Sequence, residues 1–314
     1  MTRVVLARLV ALVPLLLIAS FVAFLLVQLA PTDPAVVRLG ESATEEAYAA
    51  YRAEIGVDRP VIVQYLDWLG GAVTGDFGES WQNSAPVSEM LSSRLPVTLS
   101  LSLGALLVGL VIGVPSGIAA GIRAGKPSDS IITGLASVGQ AIPNFWMALL
   151  LVAFVALPFG IFPAIGYAKL SDGVVDWLLS LTLPSIALGT AAAAAIARQT
   201  RAGFVRVLHE PYVRTAVAGG LGRRSILLRT SLRNAAIPLV TTVAAQASVL
   251  LGGSVIVEQV FALPGLGQLV LNAIRNGDLP IVLGFVTLAA VTMAVIQLLL
   301  DLAYAWLDPR VRSA

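Results

Sequence analysis

Apolar stretches of about 20 residues or more recur along this chain between polar segments, and as a helix each is long enough to cross about 30 Å of hydrocarbon. Leu9–Ala30, Val97–Ile122, Ile131–Leu157, Trp177–Ala197, Ala235–Val257 and Leu279–Leu307 predict six membrane spans, and Asp301 is the only charge inside any of them. The pattern is that of an all-α integral membrane protein. Leu9–Ala30 follows Arg3 and Arg8 as a signal peptide would. Its apolar run, however, exceeds the roughly 7–15 residues of a signal core, and no small-residue cleavage site precedes Pro31, so it reads as a retained span. In the second span Gly109, Gly113, Gly117, Gly121 and Gly125 recur every four residues. That spacing predicts a ridge free of side chains, where a neighbouring helix packs closely; Ala191–Ala195 in the fourth span suits the same purpose.

The segments between spans divide the chain into an N-terminal span (1–30), a cap (31–96) and a five-span core (97–314). Within the cap, Ser42–Ile55 and Val61–Leu69 predict short helices, and Asp33-Pro34, Gly70-Gly71 and Gly75-Asp76 predict turns,. Tyr51, Tyr65, Trp68, Phe77 and Trp81 need something to pack against, so the segment reads as a small folded cap,. The core carries a long polar connection at about 198–234 that reads as helix, break, helix. Pro211 opens a short helix, Gly219-Gly220-Leu221-Gly222 ends it, and Arg223–Arg233 resumes a helix,. Thr215, Ala216 and Ala218 give the short helix a small face that would sit in a groove of another protein, with Tyr212 and Leu221 as larger anchors,.

Composition agrees with the spans: 57% of residues are hydrophobic and 12% charged, too little polar surface to cover a soluble globule,. The net charge of +2 hides a strong polarity. Six spans place both termini on one side, and the basic residues concentrate there: Arg3, Arg8, Arg123, Lys126, Arg310, Arg312 and the eight arginines of 198–234. By the positive-inside rule that side is the cytosol. Acidic residues gather in the cap. The absence of Cys and the single His209 argue against a metal centre,. Gly121, Gly125, Lys126 and Ser128 imitate a phosphate-binding loop, but three residues separate the glycines and Pro127 follows the lysine, so the spacing fails,. Nothing points to nucleic acid. Among membrane functions, an ion-coupled secondary transporter would place ionisable residues near mid-bilayer, whereas Glu258 and Asp301 lie toward span ends,. A channel would show a filter sequence; a purely structural scaffold would be dispensable for uptake. The polar positions within spans are Gln140, Asn144 and Gln246, candidates either for a transport path or for bonding between helices,.

Several segments carry a resemblance. Tyr212-Val213-Arg214-Thr215-Ala216, then Gly220-Leu221, then Leu232-Arg233-Asn234-Ala235-Ala236-Ile237-Pro238 is similar to the EAA loop in the oligopeptide/dipeptide/nickel branch of bacterial ABC importer permeases. Gly56-Val57-Asp58-Arg59-Pro60, Gly75-Asp76-Phe77-Gly78, Arg94-Leu95-Pro96-Val97-Thr98-Leu99, Pro143-Asn144-Phe145-Trp146, Pro264-Gly265-Leu266-Gly267 and Leu307-Asp308-Pro309-Arg310 match in order along nearly the whole chain. Thr32 and Gly219 depart from the branch's usual residues. The resemblance implies a type I ABC importer permease fold in the bacterial inner membrane, with the cap extracytoplasmic. It also implies a second homologous permease, ABC ATPase subunits and an extracytoplasmic substrate-binding protein as partners, besides membrane lipid. The permease itself is non-catalytic and holds no cofactor; ATP and Mg belong to the ATPases. Tyr212, Arg214, Thr215, Ala216, Gly220 and Leu221 would contact an ATPase. Glu258, Pro264, Gly265, Leu266 and Gly267 would lie at the outer mouth against the binding protein. Short peptides are the implied cargo, with nickel chelates or haem-like molecules as alternatives.

Overall fold

The computed structural model describes residues 2–29, 33–222, 225 and 232–307. Its helices are α1 (Thr2–Gln28), α2 (Pro34–Leu39), α3 (Glu45–Ile55), α4 (Val61–Val73), α5 (Val87–Ile122), α6 (Pro127–Ala141), α7 (Asn144–Leu151), α8 (Leu157–Phe159), α9 (Val174–Leu208), α10 (Pro211–Ala218), α11 (Leu232–Val260), α12 (Leu266–Arg275) and α13 (Leu279–Leu307). Among the described residues, four helices are long and apolar enough to cross a membrane: Val87–Ile122, Val174–Leu208, Pro238–Val260 and Leu279–Leu299. A bent pair, Pro127–Ala141 with Asn144–Phe159, makes up to five. α1 covers the first expected span, with Val13–Leu26 as a shorter apolar helix. Most of the expected helix Arg223–Arg233, the residues Pro31 and Thr32, and Asp308–Arg310 lie outside the described residues.

The third expected span is not one helix: α6 and α7 meet at 98°. Pro143 explains the break, because its ring drives the preceding residue out of the helical region, and Ile142 is extended at φ −77°, ψ 120°,. Further on, Val152–Ala156 widens into a π-turn in which the Leu157 N–H donates to the Val152 carbonyl. Pro158 lacks an N–H and crowds the turn before it, which accounts for the widening.

The chain forms two compact units: residues 1–97 with 264–295, and residues 98–263 with 296–314. In the first, the aromatic residues of the cap segment find their partners. Tyr65 is buried between Phe21 and Phe24 of α1, edge-on to both rings, and its hydroxyl lies 3.0 Å from Ser20 Oγ. Trp68 and Trp81 pack around the same cluster with Leu279 and Leu283, while Phe77 packs against Val87, Leu91 and the apolar face of α12. Thr44 caps α3 and Asp33 caps α2 through side-chain oxygens,. Gly70 and Gly71, expected to turn, continue α4; the turn comes at Gly75, with φ +87°. Asp278 is fully buried at the head of α13 and accepts from Ser80 Oγ at 2.6 Å and Trp81 N at 3.2 Å. Burial pushes its carboxyl above the ordinary value,.

In the second unit the glycine ridge of α5 lies on α9. A Cβ on Gly113 would stand 2.7 Å from the Ala193 carbonyl oxygen, and one on Gly121 2.7 Å from Phe204 Cβ. Ala192, Ala193 and Ala194 are buried, and the missing side chains of the ridge let the α5 backbone approach the backbone of α9,. Gly125 falls outside this ridge: it lies past the end of α5 with φ +80° and open space where a Cβ would be.

Candidate functional site

The clearest site candidate is α10. Pro211 occupies its first turn, where a missing N–H costs nothing,. At its other end the Gly219 N–H donates to the Thr215 carbonyl, Gly220 to Val217 and Leu221 to Ala216, and Gly220 takes the left-handed conformation at φ +78° that glycine accepts without strain,. Val213 is buried against Val207 of α9, with Ala216 packed partly beside them. This pins α10 to the last turn of α9. Tyr212, Arg214, Thr215, Val217, Gly220 and Leu221 stay exposed. Of the expected small face, Thr215 and Ala218 are exposed and Ala216 turns half inward, and the expected anchors Tyr212 and Leu221 are exposed beside Val217 and Gly220. His209 ends α9, its Nδ1 2.7 Å from the Val205 carbonyl oxygen.

Two turns before that end, Arg201 reaches the first turn of α6. Its Nε donates to Asp129 Oδ1 at 2.6 Å and its Nη2 to Oδ2 at 2.7 Å, a two-pronged pair,. Gly125 N and Thr133 Oγ1 add donors at 2.9 and 3.3 Å. The Asp129 side chain is only 5% exposed. In the sequence Arg201 is one of eight arginines in a basic connection, and Asp129 carries no signal beyond being an acidic residue beside an apolar run.

Two of the three polar span residues flank the bend. Gln140 is exposed on α6 just before it, and Asn144 is half-buried just after it. Asn144 Nδ2 would lie 3.6 Å from a Cβ on Gly253 of α11, the helix that also bears the half-buried Gln246. A crevice of about 260 Å³ opens among α5, α6 and α9, lined by Ile112, Leu135, Gly139, Thr190, Ala193 and Ala197 among others. Its wall is apolar, since the Thr190 and Ser116 hydroxyls bond to carbonyls of their own helices.

The residues expected at an outer mouth are mostly buried. Glu258 is fully buried and accepts from Thr98 Oγ1 at 2.6 Å. Gly265, Leu266 and Gly267 are buried too, Leu266 in the cluster of Val87, Leu91 and Leu269, and only Pro264 is exposed. Leu266 is buried because the amphipathic α12 uses its Leu266, Leu269, Val270 and Ala273 face to fill the core of its unit.

Comparison with known proteins decides the family. The binding-protein-dependent transport system inner membrane component family matches residues 113–313, and its N-terminal counterpart matches residues 1–102. The chain belongs to this family. Among its relatives is a putative peptide transport system permease protein of Brucella abortus (strain 2308), 38% identical over 99% of both chains. The oligopeptide transport system permease protein AppB of Bacillus subtilis (strain 168) is 35% identical, and the glutathione transport system permease protein GsiC of Salmonella typhi is 37% identical, each over 99% of both chains. In fold, the chain is similar to a structure titled as an inward-facing conformation of the MetNI methionine ABC transporter, with a TM-score of 0.56 and 21% identity over 70% of this chain and 96% of that one. The fold is thus that of a type I ABC importer permease.

Proposed function

We propose that this chain is a permease subunit of an ATP-binding-cassette importer for short peptides. The observation that carries the reading is a family match over nearly the whole chain, joined to an exposed helix, α10, packed on the end of a long apolar helix. The peptide, oligopeptide and glutathione names of its relatives support peptide cargo. In this reading six spans, with both termini cytosolic, carry a cap facing the extracytoplasmic side. A second homologous permease completes the pathway, an extracytoplasmic binding protein delivers cargo, and partner ATPases bind ATP and Mg.

The chain's own part is mechanical. α10 seats in an ATPase groove through Tyr212, Arg214, Thr215, Gly220 and Leu221, with Ala216 bracing it from behind. Closure of the ATPases moves α10, and the spans rock to open the pathway to alternate sides. Gln140, Asn144 and Gln246 offer polar contacts to peptide groups along that pathway. The contact with the binding protein passes through Pro264, while Glu258, Gly265, Leu266 and Gly267 shape the segment behind it.

The test is uptake of labelled short peptides into proteoliposomes holding this chain with its permease partner, ATPases and binding protein. ATP-dependent uptake that disappears in Gly220→Asp, with the complex still assembled, is expected. Uptake of nickel or haem but no peptide refutes the cargo, and uptake indifferent to ATP refutes the importer class.

A further inference from the structure

We propose that the Asp129–Arg201 pair is a positioning element that carries movement of α10 to the break between α6 and α7. This rests on α10 being the docking helix. Arg201 stands seven residues before the end of α9, about 10 Å along the axis,. That end is tied to α10 through Val207, Val213 and Ala216, with only His209 and Glu210 between the two helices. Whatever displaces α10 therefore displaces Arg201.

At the other side of the pair, Asp129 sits in the first turn of α6 and accepts from four donors: Arg201 Nε, Arg201 Nη2, Gly125 N and Thr133 Oγ1. The carboxylate thereby fixes the α5–α6 turn and the start of α6 to a single guanidinium. A two-pronged pair transmits direction as well as distance, because both the spacing and the plane of the two groups are set. From Asp129 the helix runs on for about 18 Å before Ile142 and Pro143 break it,. Beyond the break, at 98°, begins α7 with Asn144. A shift at the base of α6 thus arrives at a bend flanked by Gln140 and Asn144. An arginine that only marked topology would need no carboxylate and no fork. A pair that only stabilised the fold would be replaceable by apolar residues, since taking the Asp129 carboxylate out of water offsets much of what its bond to the part-exposed Arg201 contributes,.

The experiment compares wild type, Arg201→Lys and the double variant Asp129→Leu/Arg201→Leu in the reconstituted complex. Lysine keeps the charge and loses the fork; the double variant keeps packing and loses the pair. Two readouts are taken: peptide transported per ATP hydrolysed, and the distance between spin labels at Leu135→Cys on α6 and Val249→Cys on α11, with and without ATP and vanadate. The chain's lack of Cys makes these the only label sites on it. Both variants are expected to assemble and hydrolyse ATP, to move about tenfold fewer peptides per ATP, and to lose the ATP-driven distance change seen in wild type. Wild-type stoichiometry and distance change in either variant would overturn the proposal, as would loss of uptake that merely follows loss of assembly. A wild type that shows the distance change without peptide uptake removes the cargo reading alone; a wild type with no distance change removes this inference.

Discussion

A Cβ on Gly117 would stand 2.5 Å from the carbonyl oxygen of Ala197, closer than any side-chain carbon approaches a backbone oxygen. Thr200 Cβ would crowd it at 2.6 Å. The contact between α5 and α9 therefore depends on an absent side chain. Gly117→Val is expected to destabilise the protein by about 1–3 kcal/mol through overpacking. Gly134→Ala, at a helix position with open space, should be neutral or slightly stabilising,. Thermal unfolding of the purified protein in detergent distinguishes the two; equal midpoints would refute the close approach.

The Thr98–Glu258 bond predicts a graded response. Glu258→Gln retains an acceptor for the Thr98 hydroxyl, whereas Glu258→Leu removes it from a fully buried place and should cost about 1–3 kcal/mol,. Comparison of the two midpoints with wild type is the check, and a leucine variant as stable as the glutamine one would contradict the burial.

Ala262 holds φ +51°, a conformation costly for any residue with a Cβ,. The turn is imposed by its neighbours, since Leu263 N donates to the Glu258 carbonyl at 2.8 Å. Ala262→Gly should raise stability by about 1 kcal/mol, read in the same unfolding assay; a loss would show that the strain is not there.

In the cap segment, the Arg52 guanidinium beside Asp33 holds that carboxyl below its usual range. A lowered folded value means stability present above the unfolded carboxylate value of about 4 and lost as pH falls through the folded one. The protection of the α2 and α3 amides, taken relative to the intrinsic exchange rate at each pH, should therefore fall as the pH drops below about 4, and Arg52→Gln should weaken that dependence,. An unchanged profile in the variant would assign the acid response to other groups.

Much of this was legible from one dimension. Apolar runs announce helices because a bilayer offers no other partner to the backbone, and Pro211 with Gly220 announces a short helix because each suits one terminus and little else. The four-residue glycine period predicted a packing ridge, and the ridge is there as far as Gly121. Gly125 broke the pattern because a period continues past a helix end without marking it.

What the chain's order alone determined is an all-helical chain with apolar helices of membrane length and the short punctuated helix Pro211–Ala218, all consequences of local composition acting over a few turns. Only the tertiary structure decided which charges meet. Asp129 and Arg201 are 72 residues apart and pair because α6 and α9 lie side by side. Glu258 and the Pro264–Gly267 turn looked like surface until Thr98 and the core under α12 enclosed all but Pro264. Burial of a polar group depends on neighbours brought from distant parts of the chain, and no periodicity records them.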